Sequence, residues 1–286
     1  MTSLETGIQS ESFESVRSRL TDNYREIEER AKTTILEERT VSNPLFTGER
    51  EDERYSVVTI GLISGPADAF FDSAKSTIEK VEPGIQWVPD GFRHITLREF
   101  NFNPLGRKAA YIDATAVRKY YEALRKRFAQ PQKPIRLELM KIIPTIDREQ
   151  NSVAFVGAFL PKTDTEIIDI RRQMNDAIEE TGLSSASRLG EIRVLFSTLG
   201  RFPHPPQKHG DNVPFLSTLE EINQKLPKGC DAIINNIDLL SSTPGRYIEV
   251  DRHVYLIPPI SLIKENPSGE THFVKPAHRK MLDRFQ

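Results

Sequence analysis

Apolar residues near the start of the chain recur at steps of three and four: Phe13, Val16, Leu20, Tyr24, Ile27, Ala31 and Ile35. That spacing places all seven on one face of a helix, with mostly charged residues around the rest. Such a stripe docks on its own domain or on a partner, and it is too short to specify a coiled coil. Residues 44–53 then read as a polar linker. From Tyr55 the period changes. Tyr55–Ile63 is β-branched and compact, a buried strand closed by Gly65-Pro66. Phe70, Ala74, Ile78 and Val81 return to helical spacing. Pro89-Asp90-Gly91 is a turn, and Phe92–Phe100 is the second strand.

A helix follows, N-capped by Asp113, with Val117, Tyr121, Leu124 and Phe128 inward. Ile135, Leu137 and Leu139 alternate with polar residues, and Ser152–Leu160 is a further strand. The order then repeats. Thr163 and Glu166 have capping-box spacing ahead of a helix that buries Ile167, Ile170, Met174 and Ile178 and stops at Gly182. A strand at Glu191–Leu199, a short helix at Phe215–Leu226 and strands at Asp231–Leu240 and Arg246–Ile257 complete the pattern, the last two joined at Thr243-Pro244-Gly245. Two strand–helix–strand units of similar length predict an internally duplicated α+β domain. The chain divides into a helix and linker at 1–54, that domain at 55–258, and an irregular tail at 259–286.

Composition narrows the classes. The 286 residues are 37% hydrophobic and 28% charged, ordinary for a globular protein. No run approaches the ~20 apolar residues that cross a bilayer, and the acidic start lacks a secretory h-region. The expected location is cytoplasmic. One cysteine, Cys230, excludes an intrachain disulfide and a multi-cysteine metal site. A net charge of −2 argues against bulk polyanion binding, though a local basic groove remains open.

The chemistry concentrates in two matching strands about a hundred residues apart, His94-Ile95-Thr96-Leu97 and Phe196-Ser197-Thr198-Leu199. Alternate strand residues share a face, so His94 projects with Thr96, and Phe196 with Thr198. A pseudo-twofold between the units would bring both pairs to one cleft. Arg98 shares the parity of His94 and is a candidate phosphate fork. Arg201 sits off parity with Thr198. Phe196 either packs or offers a stacking face to a base or ribose. His204 and His209, in the proline-rich stretch that follows, are exposed-loop histidines or a replacement acid. They lack a third metal ligand.

The element order, with RHITL and then STLGRF, resembles the 2H (two-histidine) phosphoesterase superfamily over roughly Tyr55 to Pro258. Its members carry two His-x-Thr motifs and include RNA 2',3'-cyclic phosphodiesterases, also called 2'-5' RNA ligases. The resemblance implies a bilobal fold with antiparallel sheets framing a central cleft. It also implies a nucleotide or RNA phosphodiester ligand, no cofactor and no metal. His94 would be a proton-transfer residue, Thr96 and Thr198 phosphate-oxygen donors, and Phe196, Arg98 and Arg201 substrate contacts. The departure is Phe196, which stands where the family has its second histidine. Phenylalanine moves no proton, and losing one general acid or base costs ~10²–10⁴ in rate. The expectation is therefore a phosphodiesterase with a degenerate motif, or an inactive nucleotide-binding relative or scaffold recruited through the N-terminal helix.

Overall fold

A computed structural model describes residues 12–44, 47, 49, 56–100, 114–130, 132–147, 151–163, 166–181, 193–242, 254–255 and 260–261. The expected cap Asp113, the stop Gly182 and the turn at 243–245 lie outside these residues. The α+β class with antiparallel sheets is what forms. One sheet contains β1 (Ser56–Leu62), β3 (His94–Phe100) and β8 (Asn236–Ser242), with β9 (Val254–Tyr255) and β10 (Ile260–Ser261) pairing along β8. The other runs β2 (Gln86–Trp87), β6 (Phe196–Arg201), β5 (Val153–Pro161), β4 (Ile135–Ile146) and β7 (Asp231–Ile234). All pairings are antiparallel.

The helices cross over. Helix α2 (Pro66–Ile78) follows β1 but packs on the second sheet, where its Phe71 ring fills the space over Gly157 of β5. Helix α4 (Glu166–Thr181) follows β5, packs on α3 (Ala114–Arg127) and touches both β4 of its own sheet and β3 of the first. Helix α5 (Pro214–Gln224) joins α2 on the second sheet. One apolar core runs through both sheets.

Several expectations are corrected. Asp231–Leu240 is two strands in two sheets, because the chain leaves β4 after Ile234 and joins β1 and β10 from Asn236. On α3 the buried tyrosine is Tyr120, 1% exposed, while Tyr121 is half-buried. Tyr120 stands one turn before Leu124, and its hydroxyl meets Thr59 Oγ1 at 3.3 Å. No capping box closes on α4, since the Glu166 carboxylate accepts the Arg136 N–H at 3.1 Å instead. The tail contributes β10 to the first sheet.

The N-terminal stripe forms α1 (Phe13–Leu36), N-capped by Ser12, whose Oγ accepts the Ser15 N–H at 3.2 Å. It docks on its own domain, against β4 and β5. Val16, Leu20, Tyr24, Ala31 and Ile35 are buried there. Burial of side chains the size of Val, Leu and Ile contributes roughly 1.5–3 kcal/mol each, so α1 is an integral layer. Most of its apolar face is spent inside the chain, with Phe13 and Ile27 half-buried. Among the described residues, no helix is long and apolar enough to cross a membrane.

Candidate functional site

Strands β3 and β6, which carry the two matching sequences, lie alongside each other. Each contains the same irregularity. In β3, Thr96 pairs with Ile60 and Arg98 with Thr59, so Leu97 is an extra residue. In β6, Thr198 pairs with Val156 and Gly200 with Phe155, so Leu199 is the extra one. A bulge of this kind reverses the face of every later residue. The His-x-Thr-Leu and Phe-x-Thr-Leu segments therefore share backbone geometry as well as sequence, and the duplication is visible in the fold.

The bulges re-sort the two arginines. Arg98 is carried away from His94 and Thr96 to the reverse face of β3. There it is 2% exposed, and its guanidinium donates to Asn175 Oδ1 on α4. The alternation that places it beside His94 fails because a strand period holds only without a bulge. Arg201 moves the opposite way. It pairs with Ala154, two residues from the Thr198 partner Val156, and so returns to the Thr198 face. Its Nη1 lies 4.0 Å from Asp147 Oδ2.

His94 is half-buried and Thr96 exposed. The His94 Nδ1 lies 3.0 Å from the Phe92 carbonyl oxygen. A carbonyl only accepts, so Nδ1 carries the proton and Nε2 is the nitrogen at which the ring exchanges one. The Phe92 ring meets the imidazole edge-on at 5.3 Å. Beside it, the buried Arg93 donates from Nη1 to Asp68 at 2.7 Å and from Nη2 to Asp72 at 2.6 Å and Asp90 at 3.1 Å. A buried cation requires such pairing, and it ties the start of β3 to α2. Asp68 and Asp72, spaced i, i+4 on α2, were the sequence signal for this anchor.

On β6, Thr198 is half-buried, and Phe196 lies under α1. Ala158 pairs with Phe196 on one side and with Lys141 on the other. Lys141 binds Glu28 of α1, and Arg17 binds Glu138 at 2.9 Å. Helix α1 thus lies over β4 and β5 on this face of the sheet, and reaches β6 at Phe196. The Tyr24 ring stands 5.3 Å from the Phe196 ring. Its hydroxyl donates to the Phe159 carbonyl at 2.7 Å and accepts the Leu195 N–H at 2.9 Å. Burial pushes the Tyr24 phenol up, against its backbone hydrogen bonds, so it stays neutral. The Phe196 ring is partly buried and packs against the core.

His204 Nδ1 sits 3.0 Å from Ser42 Oγ on the segment after α1. His209 closes a turn with Asn212. Among the described residues there is no group of three His, Cys, Asp or Glu that could hold a metal.

No protein-family model matches the chain, and no curated protein matches it in sequence. Solved structures do resemble it. One is a phosphoesterase, at TM-score 0.43 and 11% identity, covering 75% of this chain and 100% of that one. Another is E. coli LigT complexed with 3'-AMP, at 0.39 and 10%, covering 74% and 99%. A third is Kluyveromyces marxianus Usb1, at 0.39 and 9%, covering 68% and 96%. The likeness is one of fold.

Proposed function

We propose that this protein binds a nucleotide or RNA phosphodiester at the His94 half of a 2H-type cleft and does not hydrolyse it by two-histidine chemistry. As an imidazolium, His94 donates from Nε2 to a phosphate oxygen, and the Thr96 and Thr198 hydroxyls donate to others. Arg201, on the Thr198 face, adds positive charge. Arg98 has no part in this site.

One observation carries the reading. The position opposite His94 in the duplicated pattern is Phe196, and its ring is covered by Tyr24 at 5.3 Å. Hydrolysis of a phosphodiester needs a proton removed from the attacking water and one delivered to the leaving oxygen. A single imidazole serves one of these at a time, and Phe196 serves neither. The remaining donors still suit an anion, because charge-assisted hydrogen bonds to phosphate oxygens are strong. They hold a ligand without completing a reaction.

The test is thermal stability with 2',3'-cyclic, 3',5'-cyclic and 2'-5'-linked nucleotides. Ligand at ~100 times its dissociation constant adds ~2.7 kcal/mol to the native state. One of these ligands is expected to raise Tm, and the His94→Ala variant to lose the effect. No shift with any of them would reject the reading.

A further inference from the structure

Helix α3 carries five cations and one carboxylate, whereas α1, α2, α4 and α5 each carry at least as many carboxylates as cations. In a chain of net charge −2, positive charge is gathered on one helix. Arg118, Lys119, Glu122, Arg125 and Lys126 are all exposed. Their spacing puts them on one helical face, and at ~1.5 Å per residue that face is about 12 Å long. The opposite face is spent on the core through Tyr120, Leu124 and Phe128.

The cations of this strip are sparsely paired. Arg118 Nε donates to Glu122 at 3.3 Å, and Arg127, off the strip, turns to Glu180 and Asp176 of α4. Among the described residues, no carboxylate pairs with Lys119, Arg125 or Lys126. The Arg125 guanidinium instead lies over the ring of half-buried Tyr121, 5.9 Å from its centroid. The helix dipole favours cations in the last turn, but Arg118 and Lys119 stand in the N-terminal half, where it gives them no support.

Such a strip suits a polyanion, and the surroundings select which one. A helix that binds a lipid surface lays its apolar face into the membrane, and that face of α3 is inside the core. An acidic protein offers carboxylates but no flat rings. A single-stranded nucleic acid offers both a charged backbone and bases, and bases stack on aromatic rings and on guanidinium planes. The Arg125–Tyr121 pair supplies both.

We infer that the outer face of α3 docks a single-stranded nucleic acid, with Lys119, Arg125 and Lys126 on backbone phosphates and the Arg125–Tyr121 pair against a base. The surface is separate from the proposed cleft. Tyr120 of α3 meets Thr59, the pairing partner of Arg98, on the side of the first sheet away from His94.

The experiment measures fluorescence anisotropy of a short labelled RNA oligomer with the full chain at 50 and 200 mM salt. Each phosphate contact of a single strand contributes ~0.7 to the salt slope, so three contacts give about a 20-fold fall in affinity over that range. The triple variant Lys119→Ala, Arg125→Ala, Lys126→Ala, made with the strongest helix former, is expected to bind at least about tenfold more weakly at 50 mM salt and to lose most of the slope. His94→Ala is expected to bind the oligomer like the parent. Should the triple variant fail to fold, Lys119→Gln and Lys126→Gln singly are each expected to lower the slope by ~0.7. RNA binding unchanged in these variants overturns the inference. So does a parent that does not bind RNA at 50 mM salt, or loss of binding in His94→Ala alone. Tighter binding to phosphatidylserine vesicles or to polyglutamate than to RNA overturns it as well. If the cleft fails its own nucleotide test while RNA binding still depends on α3, this surface stands without it.

Discussion

The hydroxyl of Tyr24 is inserted into the β5–β6 ladder, and removing it has a calculable cost. Residues in a hydrogen-bonded antiparallel pair exchange two bonds directly. Phe159 and Leu195 exchange only one, Phe159 N–H to the Leu195 carbonyl at 3.0 Å. The return bond runs through Tyr24, which accepts from Leu195 N at 2.9 Å and donates to the Phe159 carbonyl at 2.7 Å. Tyr24→Phe keeps the ring on Phe196 but leaves the Leu195 N–H buried and unpaired. An orphaned buried donor costs ~1–3 kcal/mol, so the variant should lose about 2 kcal/mol. Larger domains lose ~2–4 °C in Tm per kcal/mol, which gives a fall of about 4–8 °C. Urea melts followed by circular dichroism give the free energy, and scanning calorimetry gives Tm. A Tyr24→Phe variant within about 1 °C of the parent would mean the strands close directly, and that the hydroxyl does not hold α1 in place.

Phe196→His should not create hydrolytic activity, because the new imidazole would lie under Tyr24; it should cost ~1–3 kcal/mol for a polar ring without partners, measured by urea melts beside a 2',3'-cyclic nucleotide assay. Gly157→Ala should destabilise by ~1–3 kcal/mol through overpacking, since a Cβ there would stand 2.5 Å from Phe71 Cζ; calorimetry checks this. Glu82 is 5% exposed and accepts the Gln207 N–H at 2.8 Å, and burial raises its pKa above the usual carboxylate value. A raised carboxylate pKa adds stability at acid pH that is lost as pH rises through the folded value. Glu82→Gln should therefore have a higher Tm than the parent at pH 8 and nearly the same Tm at pH 4.

The helices were legible because their apolar stripes are long; the face of α1 runs unbroken from Phe13 to Ile35 and is buried much as its spacing dictates. The paired strands were legible because two similar tetrapeptides recur at matching points of each unit. The orientation of Arg98 and Arg201 was not, because a bulge is set by the register between two strands, and Leu97 and Leu199 carry no local mark of it. Asp231–Leu240 reads as one apolar run, but its two halves answer to different partners. That α1 covers Phe196 follows from tertiary packing alone. Tyr24 looks like any other member of the stripe until its hydroxyl is seen between two strands. Arg171 reads as a solvated helix residue for the same reason, since its Nη1 is buried only in the folded chain.

The proposed cleft binds phosphate with one histidine and does not turn over. Calorimetric titration of a 2',3'-cyclic nucleotide, with chromatography of the recovered ligand, tests both halves in one sample. The parent is expected to bind saturably, His94→Ala to bind at least about tenfold more weakly, and the ligand to be recovered intact from both. Hydrolysed nucleotide produced by the parent at an ordinary enzymatic rate, ~1 s⁻¹ or faster, would contradict this, as would equal binding by parent and His94→Ala.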